Sequence, residues 1–288
     1  MKSEQPGYSL KPSHLLLALS LFCAALPAVV PAQTLPSDSR RIVKDVSAEG
    51  SCAIVGMTAE QCQLLALQRA RAAAIEQAAG VSVTSSTLVT NSVLAADFIK
   101  TYSKGFIINE KATWLPLGQY QRDQTTPPIP EYRIRISADV FIPQKKIQPL
   151  GLKADLNKIS FRNGEKATLE IKTNRKTRLA VFNLTADDKV VMLFPNEWEK
   201  DDLVPGGETL NFPGPDSKTE MVMQTLPGHR RDAEAFMVVA LDLNNEKDFL
   251  DLFPLGRPVA FSEFFKRYSQ VADHAEDVIL TYEVVAEN

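Results

Sequence analysis

Two runs in the second half of the chain set the hydrophobic pattern. Residues 179–184 are apolar on both alternating faces except at Asn183, and residues 190–194 are apolar on both without exception. Successive strand side chains point to opposite sides, so apolar residues on both faces predict a strand covered on both sides. Thr185, Ala186, Asp187, Asp188 and Lys189 between the runs form a polar connection of hairpin length. Asp suits such a turn because it tolerates the backbone and bonds to its own main chain. Pro195 has no N–H to give to a ladder and closes the second strand. The pattern predicts a central hairpin over 178–196, with its acids serving only to reverse the chain in water.

The first half reads as strands and helices in alternation. Residues 42–54 contain a strand. Thr58 with Gln61 has the spacing of a capping box, which starts a helix over 59–79 ended by Gly80. Leu65, Ala72, Ile75 and Ala79 fall on one stripe with Cys62 and Ala66 beside it, and the many alanines let the helix lie close on a sheet. Arg69, Arg71 and Glu76 read as its solvated face. A strand over 81–90, a helix from Asn91 or Ser92 to Tyr102 and a strand from Phe106 toward Leu117 follow. Residues 121–130 are a polar, proline-rich excursion. Residues 132–142 alternate Tyr132, Ile134, Ile136, Ala138 and Val140 against Arg133, Arg135, Ser137 and Asp139, a half-exposed antiparallel strand. Residues 42–143 are thus expected to be an α+β domain, an antiparallel sheet with helices on one face.

The stretch PQKKIQPLG over 143–151 is prolyl and basic, and is the expected domain boundary. Beyond it the chain breaks into short apolar runs, over 159–161, 167–173, 220–226, 235–243 and 278–285, separated by Gly/Pro turns. Residues 249–253 suggest a short helix and 261–271 an amphipathic one. Many short strands with one or two late helices predict a mainly-β, sandwich-like domain over 152–288.

Composition adds compartment. The chain has 288 residues and a formal net charge of −3, enough for two ordinary cores and without general attraction to nucleic acid. Residues 1–32 read as a signal peptide: Lys2, Lys11 and His14 precede an apolar run over 15–26, and Val30-Pro31-Ala32 offers small residues for cleavage after Ala32. An uncleaved anchor and lipidation at Cys23 are the rival readings. The mature chain has no other segment apolar enough to span a bilayer, and is expected to be periplasmic or secreted. Cys52 and Cys62 remain, and two thiols in an exported chain suggest a disulfide, the alternative being two buried thiols.

Two resemblances bear on the domains. The helix ALQRARAAAIEQAAGV, the stretch VSVTSSTLV, TYSKGFI and the strand YRIRISADVFI together resemble the N-terminal domain of the flagellar assembly protein T and related small bacterial envelope-protein domains. That resemblance implies a non-catalytic periplasmic assembly or adaptor module. FRNGEKATLEIKT, RLAVFNLTADDKVVMLFPN and LVPGGETLNFP resemble a bacterial domain of unknown function that recurs at the C-termini of exported proteins. Its hairpin turn often has Gly after Asp, where this chain has Asp188.

The candidate chemistry is sparse. Asp187, Asp188, Asp201, Asp202, Glu197 and Glu199 could be a calcium loop or a carboxylate pair, but their spacing fits no EF-hand-type loop and reads as turn chemistry. His229, Arg230 and Arg231 could meet an anion or a partner carboxylate. Trp198 beside Glu197, in a polar loop after a strand, is the residue best placed to bind. No nucleophile elbow, zincin, P-loop or dinucleotide motif is present, so no catalytic residue, cofactor or metal is expected. The expectation is a non-catalytic binding or adaptor protein for an envelope complex. The alternative is a small-ligand or glycan receptor using the loop around Trp198.

Overall fold

The structure, a computed structural model, describes residues 42–80, 104–145 and 147–287. The expected signal peptide, the strand over 81–90 and the helix from Asn91 or Ser92 to Tyr102 lie outside the described residues.

Strand β1 (Ile42–Ala53) is followed by helix α1 (Ala59–Ala78). The helix begins at the expected capping box. Thr58 Oγ1 accepts from the Gln61 N–H at 3.2 Å, and Gln61 Oε1 accepts from the Thr58 N–H at 3.0 Å. These bonds satisfy N–H groups that a helix start leaves open. Gly80, at φ +70°, ends the segment in the left-handed region. The buried face is Cys62, Ala66, Ala70 and Ala74, with Ile75 and Arg71 beside it. The stripe expected through Leu65 and Ala72 is half-buried instead. Close approach explains the difference. A Cβ on Gly50 of β1 would run into the Ala66 carbonyl oxygen and the Ala70 amide nitrogen, so only small side chains fit between helix and strand.

Strands β2 (Phe106–Trp114), β3 (Gly118–Tyr120) and β4 (Ile129–Phe141) complete an antiparallel sheet in the order β1-β4-β2, with β3 also on β4. Ile134, Ile136, Ala138 and Val140 are buried, while Arg133, Arg135 and Ser137 lie on the open face, as the alternation predicts.

The second half is β-rich. Its strands are β5 (Lys153–Leu156), β6 (Ser160–Arg162), β7 (Lys166–Ala167), β8 (Leu169–Lys172), β9 (Thr177–Leu184), β10 (Lys189–Phe194), β11 (Leu203–Val204), β12 (Thr209–Phe212), β13 (Met221–Val222), β14 (Arg231–Leu241), β15 (Val259–Ala260) and β16 (Ala275–Val285). Its helices are α2 (Phe249–Leu252) and α3 (Phe261–Tyr268). The large sheet runs β15-β10-β9-β14-β16-β6 with β11 on β9, and only its β16–β6 pair is parallel. A smaller sheet, β12-β8-β5, and the β13–β7 pair accompany it. The result is a sandwich-like fold with a small helical part.

The central hairpin is as read from the pattern. Val190 faces Leu184 and Met192 faces Phe182, with a bulge before Phe194 meets Val181. Ala180, Phe182 and Leu184 belong to one hydrophobic cluster, and Leu179 and Val181 to another on the opposite face. Val181 and Phe182 are fully buried, and Val191 and Leu193 half-buried. The Phe182 ring sits 4.9 Å from both Phe253 and Phe264.

The connector over 143–151 separates the first sheet from those of the second half, but one hydrophobic cluster runs across it. One cluster contains Phe106, Ile134 and Ile136 of the first half together with Phe182, Phe264 and Phe265 of the second. The Phe106 ring lies 5.2 Å from Phe265 and 5.2 Å from Tyr268. A helix and a sheet each bury one apolar face against a neighbour. Here α1 covers β1 and β4, and α3 packs on β2. The connector is strapped down as well. Lys145 Nζ donates to the Ala275 carbonyl at 2.7 Å, and the Leu150 and Leu152 N–H groups donate to Glu276 at 2.7 and 3.0 Å.

Candidate functional site

The hairpin turn carries the main correction to the sequence reading. The Thr185 N–H donates to the Lys189 carbonyl at 2.9 Å, and the Asp188 N–H to the Thr185 carbonyl at 3.2 Å. Asp187 behaves as a surface turn acid, accepting from Thr185 Oγ1 and Lys189 Nζ, each at 2.6 Å. Asp188 does not. Its backbone sits at φ +63°, which points its carboxylate back at α1. Arg71 donates to it through Nη1 at 2.5 Å and through Nη2 at 2.9 Å. The same guanidinium donates through Nε at 2.8 Å and Nη2 at 2.5 Å to Glu110 on β2. The Arg71 side chain is 2% exposed, and its guanidinium lies 5.1 Å from the centre of the Phe261 ring.

The expected solvated face of α1 is therefore wrong at Arg71, and the acid expected in water at Asp188 is a half-buried partner. Arg69 is also engaged, donating to the Ser51 carbonyl at 2.6 Å. The physical reason is that the flank of α1 meets the second half of the chain. A guanidinium buried in that seam is tolerated where carboxylates answer its fork of N–H groups. A signal was present in the sequence: Arg71 stands four residues before Ile75, one helical turn along the buried stripe.

A second carboxylate holds the same turn from β14. Glu234 Oε1 accepts from the Ala186 N–H at 3.1 Å, and Glu234 is 7% exposed. Tyr282 Oη lies 2.7 Å from Glu234 Oε2 and 2.8 Å from Asn183 Oδ1. Asn183, the lone polar residue of its run, is thus a partner and not a flaw in the pattern.

The residues singled out for binding fall in two places. Trp198 is 62% exposed, on a loop braced by Asn196, and Glu197 beside it is exposed. Asn196 Oδ1 accepts from the Trp198 and Glu199 N–H groups, both at 2.9 Å, and its Nδ2 donates to the Leu193 carbonyl at 3.0 Å and to Thr219 Oγ1 at 3.2 Å. His229 Nδ1 is 2.6 Å from Asp232 Oδ1, Arg231 donates to Glu283 at 3.2 Å, and Arg230 is exposed. Register keeps the two groups apart. Phe194 faces Val181 and Leu203 faces Arg178, so the Trp198 loop lies at the Thr177 end of β9. Ala235 faces Leu184, so Arg231 lies beyond the other end. Trp198 and Glu197 do not form one site with His229, Arg230 and Arg231.

The acids near the hairpin in sequence are dispersed. Asp202 pairs with Arg178 at 2.7 Å, where burial pushes its carboxyl up despite that partner. Among the described residues no group of three or more His, Cys, Asp or Glu converges to hold a metal ion. Cys52 and Cys62 form a disulfide between β1 and the first turn of α1, their Cα atoms 5.5 Å apart. An open depression of about 520 Å3 is lined by Lys247, Asp251, Leu252, Glu263, Arg267 and Gln270, none of them a residue the sequence singled out.

Three exposed apolar residues lie outside the binding residues that the sequence singles out. On the first sheet Cys52 faces Tyr132, Trp114 faces Ile134 and Gly118 faces Glu131. That register gathers Val55, Trp114 and Leu117 at one end, 56%, 47% and 59% exposed. Trp114 meets Tyr132 edge to face at 6.2 Å. No helix among the described residues is long and apolar enough to cross a membrane.

A family model described as a domain of unknown function, DUF4384, matches residues 160–232. The matched segment runs from β6 into β14 and includes the central hairpin, its turn and the Asn196 loop. No curated protein matches the chain.

Proposed function

We propose that this chain is an exported, non-catalytic binding protein, an adaptor contributing to the assembly or stability of a cell-envelope complex. The observation that carries the reading is that three apolar residues, Val55, Trp114 and Leu117, stand exposed near one end of the first sheet. Surface aromatics set among other apolar side chains are the usual anchors of protein interfaces. The signal-like residues 1–32 and the resemblance of the first half to the flagellar assembly protein T domain support export and an assembly role. Retention from envelope extracts tests this. The unaltered protein should hold a protein partner that Trp114→Ser/Leu117→Ser releases. Recovery of a sugar or metabolite with no protein would contradict the adaptor reading, and an N-terminus other than Gln33 on the exported protein would contradict the cleavage site.

A second reading, a glycan or small-ligand receptor, rests on Trp198. Asn196 holds its loop through five side-chain hydrogen bonds, which presents the indole for stacking at little entropic cost. Binding to a glycan array that vanishes with Trp198→Ala would favour it over the adaptor.

A further inference from the structure

We propose that Glu234 is a proton-binding site: a carboxylic acid that keeps its proton at neutral pH and donates it to Tyr282, which donates in turn to Asn183. The argument is a count of hydrogens. Tyr282 Oη lies 2.7 Å from Glu234 Oε2 and 2.8 Å from Asn183 Oδ1. Both are acceptors, and a phenol has one proton to give. With Glu234 ionised, one of these short contacts sets lone pair against lone pair. Glu234 is 7% and Tyr282 3% exposed, so solvent is poorly placed to relieve it. Turning over the Asn183 amide only moves the conflict, because the nitrogen 3.4 Å from Glu234 Oε2 would become an oxygen. A proton on Oε2 removes it. The acid O–H donates to Tyr282 Oη, the phenol donates to Asn183 Oδ1, and Oε1 still accepts from the Ala186 N–H.

The surroundings agree from each side. Asp232 on β14 adds negative charge nearby, itself bonded to His229. Asn183 faces Glu234 from β9, Ala186 from the turn and Tyr282 from β16. Burial pushes the Glu234 carboxyl up, more than the hydrogen bonds from Tyr282, Ala186 and Asn183 pull it down. Burial, followed by Glu234, keeps the Tyr282 phenol protonated to well above its usual range. The consequence is local to the hairpin. The turn that Glu234 holds through Ala186 is the turn that delivers Asp188 to Arg71, so losing this proton disturbs the seam between the two halves.

Carboxyl-carbon NMR of the full chain carrying 13C-labelled glutamate tests the proposal. One glutamate resonance should report a protonated acid at neutral pH, be missing in Glu234→Gln, and titrate only as the pH is taken upward. Gln keeps the shape, donates to Tyr282 and accepts from Ala186, so the variant should also lack the wild-type loss of stability as pH rises from the ordinary glutamate range through the raised value. If Glu234→Gln does not fold, contacts from the wild-type side chain to the Tyr282 ring identify the resonance. An ionised Glu234 at neutral pH would overturn the proposal.

Discussion

Asp188 shows how much a single backbone angle can decide. An L-residue at φ +63° gives up about 1–2 kcal/mol relative to glycine. The resembled family often places glycine after the aspartate, and here the strain is offset by the carboxylate's reach to Arg71. Three substitutions separate the two effects. Asp188→Gly relieves the backbone and loses the ion pair. Asp188→Ala loses the pair and keeps the strain, and should be the less stable of the two by about 1 kcal/mol. Asp188→Asn tolerates the angle but carries no charge. Each loss of the pair should cost about 1–3 kcal/mol, since Glu110 still answers part of the buried guanidinium. Equilibrium denaturation measures all three. Equal stability of all variants with wild type would return Asp188 to the role of a solvated turn residue. The sign of the Glu234 effect follows from its raised carboxyl. The folded state holds that proton more tightly than the unfolded chain. The stabilisation is therefore fully present below the ordinary glutamate pKa and is lost as pH rises through the raised value. Stability-against-pH curves for wild type and Glu234→Gln should run parallel below the ordinary glutamate pKa, diverge as pH rises from there through the raised value, and run parallel again above it.

At the scale of elements, close packing and burial decide. Gly50→Ala should cost about 3 kcal/mol, at the top of the usual overpacking range, because the new methyl meets helix backbone and not a side chain that could swing aside. Phe182→Ala should cost roughly 3–5 kcal/mol, an aromatic truncated inside a ring cluster. Thermal or denaturant melts test both, and a cost under about 1 kcal/mol for Phe182→Ala would mean its strand is not enclosed. The hairpin, the capping box, the alternating strand β4 and the small-residue helix were legible because each rests on local periodicity or a cap. What was not legible came from contacts distant in sequence. Nothing local tells that the turn at Asp188 meets a helix 117 positions earlier, so both charges look solvated from the sequence. Leu65 reads as part of the buried stripe by its size, but approach distance decides what fits between α1 and β1. The candidate binding residues were legible as exposed, but whether Trp198 shared a surface with His229 depended on the order and register of β9, β10 and β14.

For the whole molecule, the seam is the claim that matters. The described residues belong to one compact unit, and the cluster of Phe106, Phe182, Phe264 and Phe265 crosses the connector that the composition marks as a boundary. Arg71, Glu110, Asp188 and Phe261 close that seam from α1, β2, the hairpin turn and α3. Shared apolar burial of this kind makes the halves cooperate in unfolding, whereas separate cores would melt separately. The chain has two tryptophans, Trp114 in the first half and Trp198 in the second. Denaturant unfolding followed in the single-tryptophan variants Trp198→Phe and Trp114→Phe, with and without Arg71→Met, tests the claim most directly. Coincident midpoints at the two reporters, moved together to lower denaturant by Arg71→Met, are the predicted result. Two separate midpoints, or a shift at one reporter alone, would contradict it.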